Sequence, residues 1–79
     1  METRRQKYDK FRDFLIKTRK KKGITQSELG VRIHKPQNFI SKCESGERRL
    51  DVVELCTILH ALGVKPSKFI SELMRKLHI

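Results

Sequence analysis

The sequence has no long apolar run and no leader-like segment at its N-terminus. No stretch approaches the roughly 18 consecutive apolar residues of a membrane span. The basic N-terminal stretch also lacks the apolar run and the small-residue cleavage site of a secretory signal peptide. These absences predict a cytoplasmic protein with no membrane partner.

Clusters of cysteine and histidine are absent as well. Cys43 and Cys56 do not form a Cys-x-x-Cys pair, and the three histidines are isolated along the chain. This pattern predicts no metal site, no disulfide framework and no nucleophile with a neighbouring base. We therefore expect no cofactor, no small-molecule ligand and no enzymatic activity. Both cysteines are interpreted as small buried hydrophobic residues, and His60 and His78 as surface residues.

Acidic residues are scarce. Nine Asp and Glu stand against 19 Lys and Arg, which gives a net charge of +10 and a pI near 10.1. Residues 1–22 alone hold ten basic residues and three acids. This charge favours a polyanionic partner, and nucleic acid comes before an anionic membrane surface because Asp9 and Asp13 interrupt the basic first helix.

The chain is long enough for one small domain, residues 1–79, and its pattern is helical throughout. No segment alternates apolar and polar residues as a half-buried strand does. Apolar residues instead recur at spacings of three and four between helix start and stop signals. The predicted helices are about 7–22, 25–33, 36–45, 51–62 and 66–77.

Capping residues and prolines set several of these boundaries. Thr25 and Glu28 form a capping-box pattern at the start of the second helix. Pro36 is expected as the first residue of the third helix, so that the turn falls at about His34-Lys35. Asp51 is expected to cap the fourth helix.

The predicted core consists of apolar stripes on these helices. They are Tyr8, Phe11, Phe14 and Leu15 in the first helix; Leu29 and Ile33 in the second; Phe39 or Ile40 with Cys43 in the third; and Val52, Leu55, Cys56, Leu59 and Leu62 in the fourth.

Two short helices joined by a tight turn in a basic all-α domain are typical of a helix-turn-helix, whose second helix enters the DNA major groove. The segments TQSELG (residues 25–30) and QNFISKCESG (residues 37–46) carry the relevant residues. Over roughly residues 11–73 the chain resembles the Cro and lambda-repressor family, also called the xenobiotic-response-element family. The resemblance implies a compact five-helix, lambda-repressor-like fold with the helix-turn-helix at the second and third helices.

Four residues at fixed spacing carry the resemblance: Arg19, Gln26, Gln37 and Glu44. In the phage repressors that this chain resembles, the first glutamine braces the second and touches a phosphate. The arginine and the glutamate form a buried pair that ties the first helix to the recognition helix. The resemblance therefore assigns Arg19 and Glu44 to a structural pair.

Two positions depart from the family pattern. Gly30 stands where the family usually has Ala, and His34 stands where it usually has the turn Gly. Histidine adopts a positive φ only at some cost, so the geometry of this turn is the feature that the departures put in question.

The start of the third helix holds the residues that we expect to read bases. Carboxamides such as those of Gln37 and Asn38 bond adenine N6 and N7 in a bidentate way. Ser41 and Lys42 lie further along the same face, where Lys42 either bonds guanine or meets a phosphate. For Phe39, contact with a thymine methyl group and packing in the core are equally open.

Contacts to the DNA backbone are expected to outnumber base contacts. The candidates are Thr25 and Gln26 at the start of the second helix, Lys22 before it, and Arg48 and Arg49 after the third. In the resembling repressors, the loop after the recognition helix lies along the phosphates. The alternatives are a solvated loop at Arg48 and Arg49 and a solvated helix end at the lysine run 20–22.

The last helix has an apolar stripe with two interpretations, as monomer core and as the interface of a dimer. The interface prediction covers Phe69, Ile70, Leu73, Met74 and Leu77, with Ile79 beyond the helix. We expect both uses, because helix-turn-helix repressors usually bind two half-sites about 34 Å apart as a two-fold dimer.

The sequence thus predicts a sequence-specific regulator of transcription that binds double-stranded DNA. It is expected to be a homodimeric repressor or autoregulator on a palindromic operator. Two alternatives remain open at this point: an antitoxin or protein-interaction module of a toxin–antitoxin pair, and a restriction–modification controller.

Overall fold

The computed structural model describes all residues from Met1 to Ile79 as five α-helices without a strand. The helices are α1 (Arg4–Lys21), α2 (Gln26–Arg32), α3 (Gln37–Ser45), α4 (Val52–Leu62) and α5 (Pro66–Lys76). The prediction of an all-α, five-helix fold is confirmed. The five helices include no candidate membrane span by length and hydropathy.

Helix α1 begins about one turn earlier than its apolar spacing predicts. The Thr3 hydroxyl accepts the Gln6 N–H at 3.1 Å, and the Gln6 side chain accepts the Thr3 N–H at 2.8 Å, which completes a capping box. The predicted start at residue 7 is wrong because it relied on the first apolar residues and overlooked this cap. Arg4 and Arg5 therefore lie inside the helix.

The starts of α2 and α3 also differ in detail from the prediction. Thr25 accepts the Glu28 N–H at 3.0 Å, but the Glu28 carboxylate accepts the Thr25 hydroxyl at 3.2 Å and not its backbone N–H. Only half of the predicted capping box forms. Pro36 is the N-cap of α3, in an extended conformation, and not its first helical residue.

The core lies between the α2–α3 pair and the remaining helices. Phe69 of α5 is 1% exposed, its ring is stacked on Phe14 with centroids 4.5 Å apart, and it meets Phe11 edge-on at 6.3 Å. Leu15 is buried, and Phe11 and Phe14 pack against the core, which confirms the predicted apolar face of α1. In α3, Ile40 and Cys43 are the buried residues.

The predicted stripe of α4 is only partly right. Leu55, Leu59 and Leu62 are buried as expected, and Ile58 joins them. Val52 is 72% exposed and Cys56 is exposed, which corrects their assignment to the core. Residues 55, 58, 59 and 62 follow the i, i+3, i+4, i+7 spacing, and position 56 lies roughly 100° away from position 55 around the helix.

The turn between α2 and α3 accounts for both departures from the family pattern. His34 adopts φ 59°, the left-handed conformation in question. Gly30 is buried, and a Cβ built there would lie 2.7 Å from the Lys35 backbone oxygen. Because the chain passes so close to α2, this version of the turn has no room for alanine at position 30.

Candidate nucleic-acid interface

The N-terminus of α3 projects the two carboxamides that the sequence predicts as base readers. Gln37 and Asn38 are its first two residues, and both are exposed. Lys42 is exposed one turn further on, and Ser41 is half-buried with its hydroxyl donating to the Asn38 carbonyl at 3.2 Å. The four predicted base-contacting residues therefore share one stretch of α3, as their i+3 and i+4 spacing requires.

A buried ion pair joins α1 to α3. Arg19 Nε donates to Glu44 Oε2 at 2.7 Å and Arg19 Nη2 donates to Glu44 Oε1 at 3.0 Å. The two side chains are only 8% and 7% exposed, and Arg19 Nη1 also donates to the Ile24 carbonyl. Removing one partner of such a buried pair costs about 3–5 kcal/mol, so this pair strongly fixes α3 against α1.

Two glutamines extend this pair to the exposed end of α3. Gln26 Nε2 donates to Glu44 Oε1 at 2.9 Å, and Gln37 Nε2 approaches Gln26 Oε1 at 3.5 Å. The resulting series of contacts, Arg19–Glu44–Gln26–Gln37, is called the Glu44 network below. It holds the Gln37 side chain through bonds that begin in the interior of the protein.

The residues before and at the start of α2 are placed beside this network. Lys22 is exposed at the end of α1. The Thr25 side chain caps α2, while the Gln26 side chain belongs to the Glu44 network. Lys22 therefore keeps a free ammonium group, whereas the side chains of Thr25 and Gln26 already have partners within the protein.

Arg48 and Arg49 have different surroundings, although the sequence predicts the same role for both. Arg48 Nη1 and Nη2 donate to the two carboxylate oxygens of Glu54 at 2.9 and 2.6 Å, and its guanidinium lies 4.6 Å from the Phe39 ring centroid. Arg49 is exposed and stacks on the Tyr8 ring at 4.9 Å. Of the two, only Arg49 keeps a guanidinium without a carboxylate partner.

The Arg48–Glu54 pair shifts the pKa of the carboxyl group. The two hydrogen bonds from Arg48, with a third from the Asp51 N–H, lower the pKa of Glu54 to about 2. Glu54 is also the partner of Asp51 in the capping box of α4, at the third helical position. Glu54 is not among the residues predicted from the sequence, although the Asp51-x-x-Glu54 spacing at a helix start indicates a capping box.

Phe39 packs in the protein and does not project freely towards a base. It is half-buried against the core, with the Arg48 guanidinium at 4.6 Å and the Lys35 ammonium at 5.3 Å from its ring centroid. Of the two interpretations left open by the sequence, the contacts favour packing. Phe39 thereby links the α3–α4 connection to the recognition helix.

The apolar stripe of α5 divides between the core and the surface. Phe69 is fully buried within the monomer, so its assignment to a dimer interface is corrected. Ile70 and Met74 are 38% and 43% exposed, and Leu73 and Leu77 are half-buried. With Ile79, which is 70% exposed, these four residues form an apolar surface that we call the α5 patch.

Comparison with known proteins places this geometry in context. A family model described as "Helix-turn-helix" matches residues 15–69. The chain is similar to an XRE-family like protein from Pseudomonas syringae pv. tomato str. DC3000, with 40% identity and a TM-score of 0.84 over 89% of this chain and 85% of that one. It is also similar to a mutant of the restriction-modification controller protein C.Esp1396I, with 28% identity and a TM-score of 0.82 over 98% and 95% of the two chains. The comparison with curated proteins finds no match.

Proposed function

Because the chain belongs to the helix-turn-helix family of XRE type and is a DNA-binding transcriptional regulator, we propose that it represses transcription as a homodimer on a palindromic operator. The proposal includes regulation of its own gene. It assigns the chain no catalytic step, since the members of a DNA-binding regulator family act by occupying DNA.

The Glu44 network is the observation that carries the proposal of sequence-specific binding. Base readout needs a side chain that is exposed and yet held in one orientation, because ordering a free side chain costs about 0.5–1.5 kcal/mol. Gln37 meets both conditions, being exposed at the tip of α3 and in contact with Gln26. We assign base contacts to Gln37, Asn38, Ser41 and Lys42.

The contacts to DNA phosphates follow from the residues around α3. Lys22 and Arg49 supply free cationic groups on either side of the helix-turn-helix, and Thr25 and Gln26 supply the start of α2. We keep Arg48 among the proposed phosphate contacts because it lies in the α3–α4 connection. There its guanidinium packs on the Phe39 ring and donates to Glu54. These contacts fix the register of the protein on the duplex.

The α5 patch is the surface that we assign to the dimer. The patch lies towards the C-terminal end of α5. Phe69, near the other end of the helix, is buried in the core and fixes α5 there. A two-fold dimer built on this helix would present two copies of α3, and helix-turn-helix dimers bind half-sites about 34 Å apart. Palindromic operators are the DNA counterpart of that symmetry.

Control of restriction–modification genes is the second candidate function. The similarity to the controller protein C.Esp1396I extends over 98% of this chain and 95% of that one. Repression of a chromosomal or phage promoter uses the same DNA-binding domain. Mapping the bound sites in the genome of origin separates the two, because a controller would occupy a promoter next to restriction or methyltransferase genes.

Selection from random duplex DNA tests the proposed function. The winning site is then titrated against a scrambled duplex of equal length at two salt concentrations. We expect a palindromic site that is preferred by roughly a thousandfold or more. Binding that is strongly salt-dependent but shows no preferred sequence would refute specific readout, because a charge of +10 accounts for such binding without α3.

A further inference from the structure

A second basic surface lies at the other end of α3 from Gln37. A cleft of about 510 Å³ opens between the N-terminal half of α1 and the end of α3 with the connection that follows it. It is lined by four arginines, Arg4, Arg5, Arg12 and Arg49, together with Tyr8, Asp9, Ser45 and Gly46. We call it the arginine cleft.

Most of the charge in the arginine cleft is uncompensated. The ion pairs of the protein are Glu2–Lys10, Asp9–Arg12, Arg19–Glu44 and Arg48–Glu54. Arg12 is thus the only lining arginine with a carboxylate partner. Arg4, Arg5 and Arg49 carry full positive charges that no acid of this chain balances.

No ion pair within the protein holds Arg4 or Arg5. Both lie in the first turn of α1, where no acidic residue is present and where the positive end of the helix dipole disfavours cations. Both are also exposed, so they contribute little to packing. Their positions are unfavourable for folding and favourable for an anion outside the protein.

Two of the arginines are held in place before any ligand binds. The Arg12 and Arg49 guanidinium groups lie 5.2 and 4.9 Å from the centroid of the Tyr8 ring, whose hydroxyl accepts the Leu50 N–H at 3.2 Å. Arg12 also packs against Gly46, where a Cβ would lie 2.9 Å from the guanidinium carbon. Pre-organised groups of this kind lose little entropy on binding.

The position of the arginine cleft points to one anion in particular. From Gln37 to Ser45 α3 rises by about 12 Å, the length of three to four base-pair steps of B-DNA. Arg49 belongs both to the cleft and to the connection that we expect along the phosphates. A duplex read at the N-terminus of α3 would therefore bring its backbone near the cleft.

We propose that the arginine cleft binds the DNA backbone beside the half-site, with Arg4 and Arg5 as phosphate contacts and Tyr8 as the residue that positions Arg12 and Arg49. Arginine suits this role because its planar fork bonds phosphate oxygens in a bidentate way. The inference rests on the proposed DNA binding and extends it from the helix-turn-helix to the first helix.

The test compares charge-matched variants on two duplexes. Arg4→Gln/Arg5→Gln removes two charges from the cleft, and Lys17→Gln/Lys76→Gln removes two from exposed sites that line a groove between α1 and α5 without any residue of the helix-turn-helix. Each is titrated against the selected operator with several flanking base pairs and against the same operator trimmed to its half-sites, over a range of salt concentrations. Circular dichroism melts confirm that both variants fold.

We expect the arginine variant to lose roughly five- to tenfold in affinity per contact at 0.1 M salt on the flanked operator. Each protomer loses two contacts, so for a dimer on a palindrome the slope of log K against log salt should become shallower by about 3.6, and the loss should be much smaller on the trimmed operator. Equal losses for both variants, equal losses on both duplexes, or no loss would each overturn the proposal. If selection yields no operator, the slopes are compared on a random duplex, so that failure of specific readout is distinguished from failure of the cleft.

Discussion

At the scale of single residues, Glu44 connects the interior of the protein to the side chain that we expect to read DNA. One carboxylate receives Arg19 and Gln26, and Gln26 in turn faces Gln37. The charge of Arg19 makes burial of Glu44 tolerable, since each side chain satisfies the other where little solvent is in contact with them. The orientation of Gln37 is thereby coupled to the packing of α1 on α3.

Gln37→Ala tests this role directly. We expect it to cost about 1–3 kcal/mol in affinity for the selected operator and little on scrambled DNA, because a carboxamide discriminates bases and the phosphate contacts remain. Arg49→Gln serves as the comparator and should weaken binding to both duplexes by a similar factor. Equal losses on both duplexes for Gln37→Ala would remove it from the set of base readers.

The Arg48–Glu54 pair predicts a dependence of stability on acid. The pKa of Glu54 in the folded protein, about 2, lies below its ordinary value of 4.5. Its contribution to folding is therefore present above pH 4.5 and is lost as the pH falls towards 2. In thermal melts, the unfolding midpoint temperature of Glu54→Gln should fall less than that of wild type as the pH is lowered through this range. Glu47→Gln, in the exposed connection, should show the same fall as wild type. Parallel curves for wild type and Glu54→Gln would contradict this assignment.

At the scale of elements, close packing at the α2–α3 turn limits the choice of residue more than helix propensity does. Gly30→Ala in an ordinary helix interior would stabilise by roughly 0.5–1 kcal/mol. Here the new Cβ would meet the Lys35 oxygen at 2.7 Å, so we expect a loss of about 1–3 kcal/mol, measured by denaturant unfolding. Ser27→Ala, at an exposed position of the same helix, should be close to neutral. A stabilised Gly30→Ala variant would show that the turn relaxes freely.

The helices show how much of the fold could be predicted from the sequence. The number and order of the helices follow from Gly, Pro and capping residues, and the family predicted from Gln26, Gln37 and their neighbours is confirmed by the helix-turn-helix match. The predicted buried face of α4 is wrong at Cys56, which is exposed, and omits Ile58, which is buried. Both residues fit an apolar helix face, and only packing against the other helices decides which of them is buried.

The sequence also could not predict contacts between distant elements, because these contacts depend on how the helices pack. The stacking of Arg49 on Tyr8 joins residues that are 41 positions apart, and nothing in either local pattern indicates it. The pairing of Arg48 with Glu54 is closer in the chain but depends on the geometry of the α3–α4 connection. The assignments of Gln37, Asn38, Ser41 and Lys42 to bases stay predictions, which the DNA-binding experiments address.

At the scale of the whole molecule, charge and specificity come from different parts. A net charge of +10 attracts any duplex, and this attraction weakens steeply as the salt concentration rises, because the counterions that binding releases then gain less entropy. The rigid helix-turn-helix adds the sequence-dependent part, which one copy can apply to only one half-site. On the proposed palindromic operator, affinity at physiological salt would therefore depend on joining two copies.

Ile70→Glu/Met74→Glu tests whether two copies of the protein associate through the α5 patch. The two side chains are partly exposed in the monomer, so the variant should keep its helical spectrum while charge repulsion prevents an apolar interface from forming. We expect wild type to sediment as a dimer at tens of micromolar and the variant as a monomer with greatly reduced affinity for a palindrome. Ser71→Glu, at an exposed neighbouring position, should remain dimeric. A monomeric wild type would exclude this interface, whereas a dimeric double variant would place it elsewhere on the protein.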